Sequence, residues 1–285
     1  VGAEPRTLHR LLRGLVAFDL LREREDGRFE LASQGQELRS DVPASQWRTV
    51  IEWGEVINKA MGGLLHAVKT GERPFEHVFG MSVWEYRARD PELGETFHAN
   101  VAEATARAAG ALVAAYDFTS ARSVVDVGGG HGALLAAILN ACPHTRGILF
   151  DRFTDGAAQA LAPSGVSERC EQVRGDFFQS VPPGADVYLL KAIVHDWSDE
   201  EAERILINCR AAMSSQSRLL LLERLMPERA EPGDTTVLSD VLMLVLEHGR
   251  ERTERDFRAL LSRAGFSHVR LLPIAIPDAC LIEAW

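Results

Sequence analysis

The chain has 285 residues, 46% of them hydrophobic and 25% charged, as in an ordinary globular protein long enough for one large α/β domain and a smaller one. Its formal net charge of −10 argues against a nucleic-acid backbone or an anionic membrane as the main partner. No apolar run reaches the roughly 18 residues of a membrane span, and no secretory signal is visible. Cys142, Cys170, Cys209 and Cys280 form no C-x-x-C and no metal-ligand spacing, which reads as reduced thiols in a cytoplasmic protein.

Residues 5–17 carry leucines at Leu8, Leu11, Leu12 and Leu15, the stripe of an amphipathic helix. Two short alternating runs around Asp26-Gly27 then predict a hairpin. Helix and hairpin match the second half of a winged helix, and its first helices are expected to precede this sequence. Residues 47–116 are helical in pattern, broken at 71–74 and 90–91, with an alanine-rich helix over 101–115. No internal repeat is visible.

From Ala121 onward, strands near 123–127, 145–150, 170–174, 186–191 and 218–223 alternate with helical segments, and a pair at 268–272 and 280–285 closes the chain. That alternation predicts an α/β fold with a doubly wound, mostly parallel sheet. The expected domains are 1–116 and 117–285.

The first of these strands, Val124-Val125-Asp126-Val127, runs straight into Gly128-Gly129-Gly130-His131-Gly132 and an apolar helix over 133–139. Such a turn lets backbone approach a nucleotide-like ligand at a helix N-terminus. Taken alone it fits two fingerprints: Gly128, Gly130 and Ala133 suit a dinucleotide, and Gly128, Gly130 and Gly132 suit S-adenosylmethionine (SAM).

Ligands of open parallel sheets bind beyond the carboxyl ends of the strands, and polar residues recur there. Asp151 ends the second strand, about 20 residues past the first glycine, where an acid can accept both ribose hydroxyls. Asp176-Phe177 follows the third and offers an acid and an aromatic to an adenine. Lys191 and His195-Asp196-Trp197 follow the fourth, and Glu223 ends the fifth. Ser198 and Glu201 form a capping box that starts the next helix, so His195 must sit in the short connection facing the crevice. An imidazole there is suited to accept a proton near neutral pH.

These residues resemble the plant-type small-molecule O-methyltransferases, which include caffeic acid and acetylserotonin enzymes and bacterial tailoring relatives. The resemblance runs through Pro5-Arg6-Thr7-Leu8-His9-Arg10-Leu11-Leu12, the glycine loop, Gly175-Asp176-Phe177-Phe178 and Leu190-Lys191-Ala192-Ile193-Val194-His195-Asp196-Trp197-Ser198-Asp199-Glu200. It continues into Arg250-Glu251-Arg252-Thr253 and Ala264-Gly265-Phe266. It implies an N-terminal winged-helix dimerisation domain, a C-terminal Rossmann-like SAM domain, a homodimer, and S-adenosylhomocysteine as the spent cofactor, with no metal.

Residue by residue, it implies that Asp126, Gly128, Gly129 and Gly130 cradle the methionine part of SAM and that Asp151 holds the ribose. Arg152, next to Asp151, would take the second cofactor contact, although the family usually follows this acid with an apolar residue and proline, and here Arg152 and Phe153 stand instead. Asp176 and Phe177 would meet the adenine, and Lys191 would lie along the cofactor. His195 would be the general base, oriented by Glu251 and Glu283. A small aromatic acceptor is expected against Phe97, Asn100, Val101, Asp196, Asp240, Met243 and Leu244; Asn100 stands where the family usually has methionine.

Other readings are weaker. A winged-helix DNA-binding regulator would need a basic face, but residues 1–40 hold seven basic and seven acidic side chains. A nicotinamide-dependent oxidoreductase does not explain the His-Asp-Trp block. A relative that methylates nitrogen or carbon, or uses SAM without methyl transfer, would retain the same cofactor residues.

Overall fold

The computed structural model describes residues 2–42, 45–152, 157, 161–247 and 249–285; Phe153 lies outside them. At the N-terminus, the Glu4 carboxylate accepts the N–H groups of Arg6 (3.1 Å) and Thr7 (2.7 Å), and Pro5 presets the first turn of the helix Pro5–Ala17. Its leucine stripe is only partly covered, and Leu11 is 60% exposed. Strands β1 (Leu21–Glu23) and β2 (Phe29–Leu31) form the expected antiparallel hairpin.

The helical region is more broken than its sequence pattern suggests. Helices Trp47–Glu52, Asn58–Met61, Leu64–Thr70, Pro74–Phe79 and Val83–Arg89 are short, and a π-turn, Trp53–Ile57, joins the first two. The breaks at 71–74 and 90–91 appear as expected. An additional one falls at Gly62-Gly63, where a Cβ on Gly63 would crowd the Pro74 backbone at 3.1 Å. The alanine-rich stretch belongs to a helix that starts earlier than predicted, at Pro91, and runs to Ala115. A proline is well tolerated at that first turn, so 90–91 starts this helix as well as ending the previous one.

The large sheet contains β3 (Ser123–Val127), β4 (Arg146–Asp151), β5 (Cys170–Arg174), β6 (Val187–Lys191), β7 (Arg218–Arg224), β8 (Val269–Pro273) and β9 (Ala279–Ala284). Its order is β5-β4-β3-β6-β7-β9-β8; the first five strands in that order are mutually parallel and β9 runs antiparallel to both neighbours. Side chains alternate between two apolar faces, as a sheet covered on both sides requires. Val125, Val127, Tyr188, Leu190, Leu219 and Leu221 pack with helices Asp199–Ala212 and Glu254–Arg263. Val124, Leu149, Leu189 and Leu220 pack with the helix Ala133–Ala141 and with Ala108, Ala109 and Leu112 of the long helix.

A third apolar cluster ties the two regions together: Val245 and Leu246 of the helix Thr235–Leu246 pack among Val56, Ile57, Phe75 and Val83. The four cysteines are free thiols. No helix among the described residues is long and apolar enough to cross a membrane.

Candidate active site

The chain lays β3, β4 and β5 outward in one direction, then crosses back to set β6 on the other side of β3. At such a reversal a crevice opens beyond the carboxyl ends of β3 and β6. On the β3 side, Gly128 and Gly130 turn through left-handed backbone, at φ 72° and 56°. A Cβ on Gly129 would fall 2.6 Å from the Asp126 carboxylate, so only glycine lets the loop pass over that acid. A Cβ on Gly130 would meet no atom, because this part of the backbone faces open space. The loop lines a pocket together with Val101, Ala102, Thr105, Asp126, His131 and Lys191.

Asp126 is buried, and its Oδ2 has no hydrogen-bond partner. Burial and the neighbouring Asp151 push its pKa up to about 7 against the opposing pull of Lys191. Burial holds Lys191 below the ordinary lysine value, although Glu223, Asp126 and Asp196 oppose it. At the end of β4, Asp151 accepts the Gly130 N–H at 2.9 Å, fixing the loop. Beyond β5, Asp176 accepts from the Phe178 N–H and the Arg152 guanidinium, each at 2.9 Å. Burial raises its pKa, but these donors outweigh that and hold it below the ordinary carboxylate value. The Phe177 ring reaches within 3.7 Å of the Cβ position on Gly128 and stands edge-on to Trp197.

The other half of the site begins where β6 ends. Ala192 takes a left-handed φ of 51°, which costs an L-residue roughly 1–2 kcal/mol, and the 3-10 turn Val194–Asp196 follows. Glu223 holds this turn: its Oε1 accepts the N–H groups of Ile193 (3.1 Å) and Val194 (2.8 Å). Ser198 and Glu201 form the expected capping box on the helix behind it.

His195 is thereby fixed with its side chain 14% exposed; its Nδ1 lies 3.1 Å from Glu251 Oε1 and 4.0 Å from Glu223 Oε2, and its Nε2 lies 3.3 Å from Asp196 Oδ1. Burial by itself would lower the imidazole pKa, but the three carboxylates outweigh it and hold the pKa above the ordinary histidine value. Burial would raise Glu251, but its contact with His195 keeps it below the ordinary glutamate value. The neighbouring carboxylates thus favour the imidazolium form of His195.

Glu251 is itself well supported. Its Oε1 accepts the Ser239 hydroxyl at 2.6 Å, and its N–H donates to Asp240 Oδ1 at 2.8 Å. The loop that carries it presses directly on the histidine turn: a Cβ on Gly249 would collide with the His195 carbonyl.

The structure corrects one of the two expected partners of His195. Glu283 sits on β9 opposite Leu220 and Arg270. There it accepts the Tyr116 hydroxyl at 3.1 Å and the Arg270 guanidinium at 2.9 Å, with Arg218 at 3.8 Å. The antiparallel register puts it about 10 Å back along the sheet from Glu223, which ends β7 at the crevice. Glu223, visible in the sequence only as a strand-end acid, is the second glutamate beside His195. Ser239, which also shapes this cluster, carries no local sequence signal, and Arg252 stands in the resemblance motif beside Glu251 with no role assigned to it.

The expected acceptor residues divide. Phe97 lies under the Arg87 guanidinium at 3.5 Å, and Arg87 donates to Glu52 at 2.8 Å. Asn100 donates to the same Glu52 at 3.1 Å and accepts from Thr49 at 3.5 Å, so its amide is engaged within the helical region. Val101 borders the glycine-loop pocket, and Asp196 faces His195. Asp240 supports Glu251 from the helix that also carries the buried Met243 and the exposed Leu244. Nearby, burial and Asp196 raise Glu247 to about 8, opposed by Arg87.

The O-methyltransferase domain family matches residues 62–267. An O-demethylpuromycin-O-methyltransferase of Streptomyces alboniger is 43% identical, over 100% of this chain and 77% of that protein. A phenazine O-methyltransferase of Lysobacter antibioticus is 41% identical, over 96% and 81%. A phenazine-1-carboxylate N-methyltransferase of Pseudomonas aeruginosa is 34% identical, over 100% and 84%. Among solved structures, an O-methyltransferase from neocarzinostatin biosynthesis, in complex with SAM and 2-hydroxy-5-methyl naphthoic acid, superposes with a TM-score of 0.89 at 30% identity, covering 99% of this chain and 86% of that one.

Proposed function

The chain belongs to the O-methyltransferase family and is a SAM-dependent methyltransferase, and from that premise we propose that it methylates a phenolic oxygen of a small aromatic natural product, with His195 as general base. The observation that carries this reading is the buried histidine, fixed by Glu251 and Glu223 just past the end of β6, whose Lys191 lines the glycine-loop pocket.

The pocket residues fit SAM. The Gly130 backbone faces open space, and Asp126 offers a buried, unpartnered carboxylate oxygen to an ammonium group. Asp151 and the Asp176–Phe177 pair stand at the adjoining strand ends for the ribose and adenine, and Lys191 lines the inner wall. The sulfonium supplies an already activated methyl group, so the protein has to align the acceptor oxygen and take its proton. A phenol with a pKa of about 10 is scarcely ionised at neutral pH, which gives a positioned base a task. His195 must shed the proton its carboxylates favour before it can accept another, so the rate should climb with pH. Glu251 then stabilises the imidazolium formed as the acceptor proton arrives. This chemistry needs no metal.

The proposed assembly is a homodimer through the N-terminal module, whose Leu11, Phe18 and Leu31 lie exposed; the proposed compartment is the cytoplasm, where the free thiols stay reduced. Methyl transfer to nitrogen is the second reading, favoured by the N-methylating relative. Mass spectrometry of reactions with SAM and a panel of phenols, catechols and aryl amines tests both. One added methyl on a phenolic oxygen is the expected result; methylation confined to the amines would replace the first reading with the second.

A further inference from the structure

Arg252 is among the largest fully buried side chains in the molecule, with no exposure to solvent. A buried guanidinium is tolerable only when its charge and all its donors are satisfied, and an arginine has five N–H donors in a planar fork. Here the guanidinium makes four hydrogen bonds and an ion pair. Nε donates to Asp199 Oδ1 at 2.9 Å, and Nη2 reaches the same oxygen at 2.8 Å. Nη2 also donates to the Trp197 carbonyl at 2.8 Å, and Nη1 donates to the carbonyls of Val194 (2.7 Å) and Arg250 (3.4 Å).

Those partners are the two ends of the turn that carries His195, the first residue of the helix behind it, and the loop that carries Glu251. The backbone of the same residue reaches the third element of the cluster. Arg252 bridges Leu225, just past β7 and Glu223, and its carbonyl accepts the Met226 N–H at 2.9 Å. One residue therefore joins the segments that supply His195, Glu251 and Glu223.

We propose that Arg252 is the positioning residue of the base: its forked guanidinium, clamped between Val194 and Trp197, sets the distance and angle of His195 to Glu251. The proposal rests on the reading of His195 as the base. A lysine at 252 would keep the charge but offer a point donor, unable to span two carbonyls and a carboxylate at once. The histidine turn would then loosen relative to Glu251, while the glycine loop, on another strand, would be untouched.

The test uses the full-length enzyme with an acceptor it methylates, comparing Arg252→Lys, Asp199→Asn and His195→Gln. Arg252→Lys is expected to lower kcat about 10- to 100-fold, the cost of a small misplacement at a reacting group. The SAM Kd by calorimetry should stay within about twofold, and the acidic limb of the kcat/KM profile should move to lower pH as Glu251 loses its hold on the ring. Asp199→Asn, which keeps the shape and removes the counter-charge, should reproduce the direction with a smaller amplitude; it supplies the reading should the lysine variant not fold. Wild-type kcat and an unmoved acidic limb in the folded variants, with His195→Gln inactive, would overturn the positioning role alone. Full activity of His195→Gln would overturn the base reading, and the proposal with it.

Discussion

The two halves of the crevice are built in different ways. The pocket after β3 centres on one continuous glycine loop and the Asp126 just before it, with Asp151, Lys191 and the long helix closing around them. Its loop is held on β4 by the Gly128 N–H, which donates to the Phe150 carbonyl at 2.8 Å, and by the Gly130 N–H, which donates to Asp151 at 2.9 Å. The cluster after β6 is assembled from three segments, so that His195, Glu223 and Glu251 meet only because β7 and the loop before the helix Glu254–Arg263 converge on one turn. Backbone glycines can be read one by one, whereas the ionised cluster has to be seen folded. The division also separates roles: the first half would govern cofactor affinity, the second the rate of the chemical step.

That separation can be broken by experiment. The largest effect is expected from His195→Ala, which should lower kcat by 10²- to 10⁴-fold, the usual worth of a positioned base. Its SAM Kd by calorimetry should stay within about twofold of wild type; joint loss of both would mean that the halves are not separable. Asp151→Ala should do the reverse, weakening SAM about 10- to 100-fold through loss of charged hydrogen bonds while sparing kcat at saturation. A smaller contrast distinguishes the two glutamates. Glu223→Gln should lower kcat about tenfold by removing a charge beside His195, whereas Glu283→Gln should leave kcat within about twofold. The latter should appear instead in denaturant unfolding, as a loss of about 1 kcal/mol from its part-buried contacts with Tyr116 and Arg270.

Most of the fold was legible because its signals are local. Alternating apolar strands, a capping box at Ser198 and Glu201, and Asp-Gly at the hairpin each report on their own neighbourhood. The early start of the long helix was missed because the alanine-rich run marks its most closely packed half, and the polar turns before it look like any exposed helix.

On the glycine-loop side, Gly128, Asp151 and Asp176 stand at or just past strand ends, where the sequence pattern put them. On the other side, His195 and Glu251 meet as the resemblance implied, but Glu223 was legible only as a strand-end acid and not as their partner. Glu283 and Glu223 are both acids near the end of a strand, and only the antiparallel register of β9 shows that Glu283 faces Tyr116 rather than the crevice. Asn100 and Asp240 raise the same difficulty, since their engagement with Glu52 and the Glu251 backbone spans distant segments.

The most direct measurement is the pH dependence of kcat/KM for methyl transfer by the wild type and by Glu251→Gln. In the free enzyme the carboxylates hold the His195 proton above the ordinary histidine value, so activity should rise with pH through an inflection above about 6.5. Removing the Glu251 charge should move that inflection to lower pH while reducing the plateau rate. An inflection at the same pH in both proteins would contradict the account, because the titrating base would then not be the histidine that Glu251 holds.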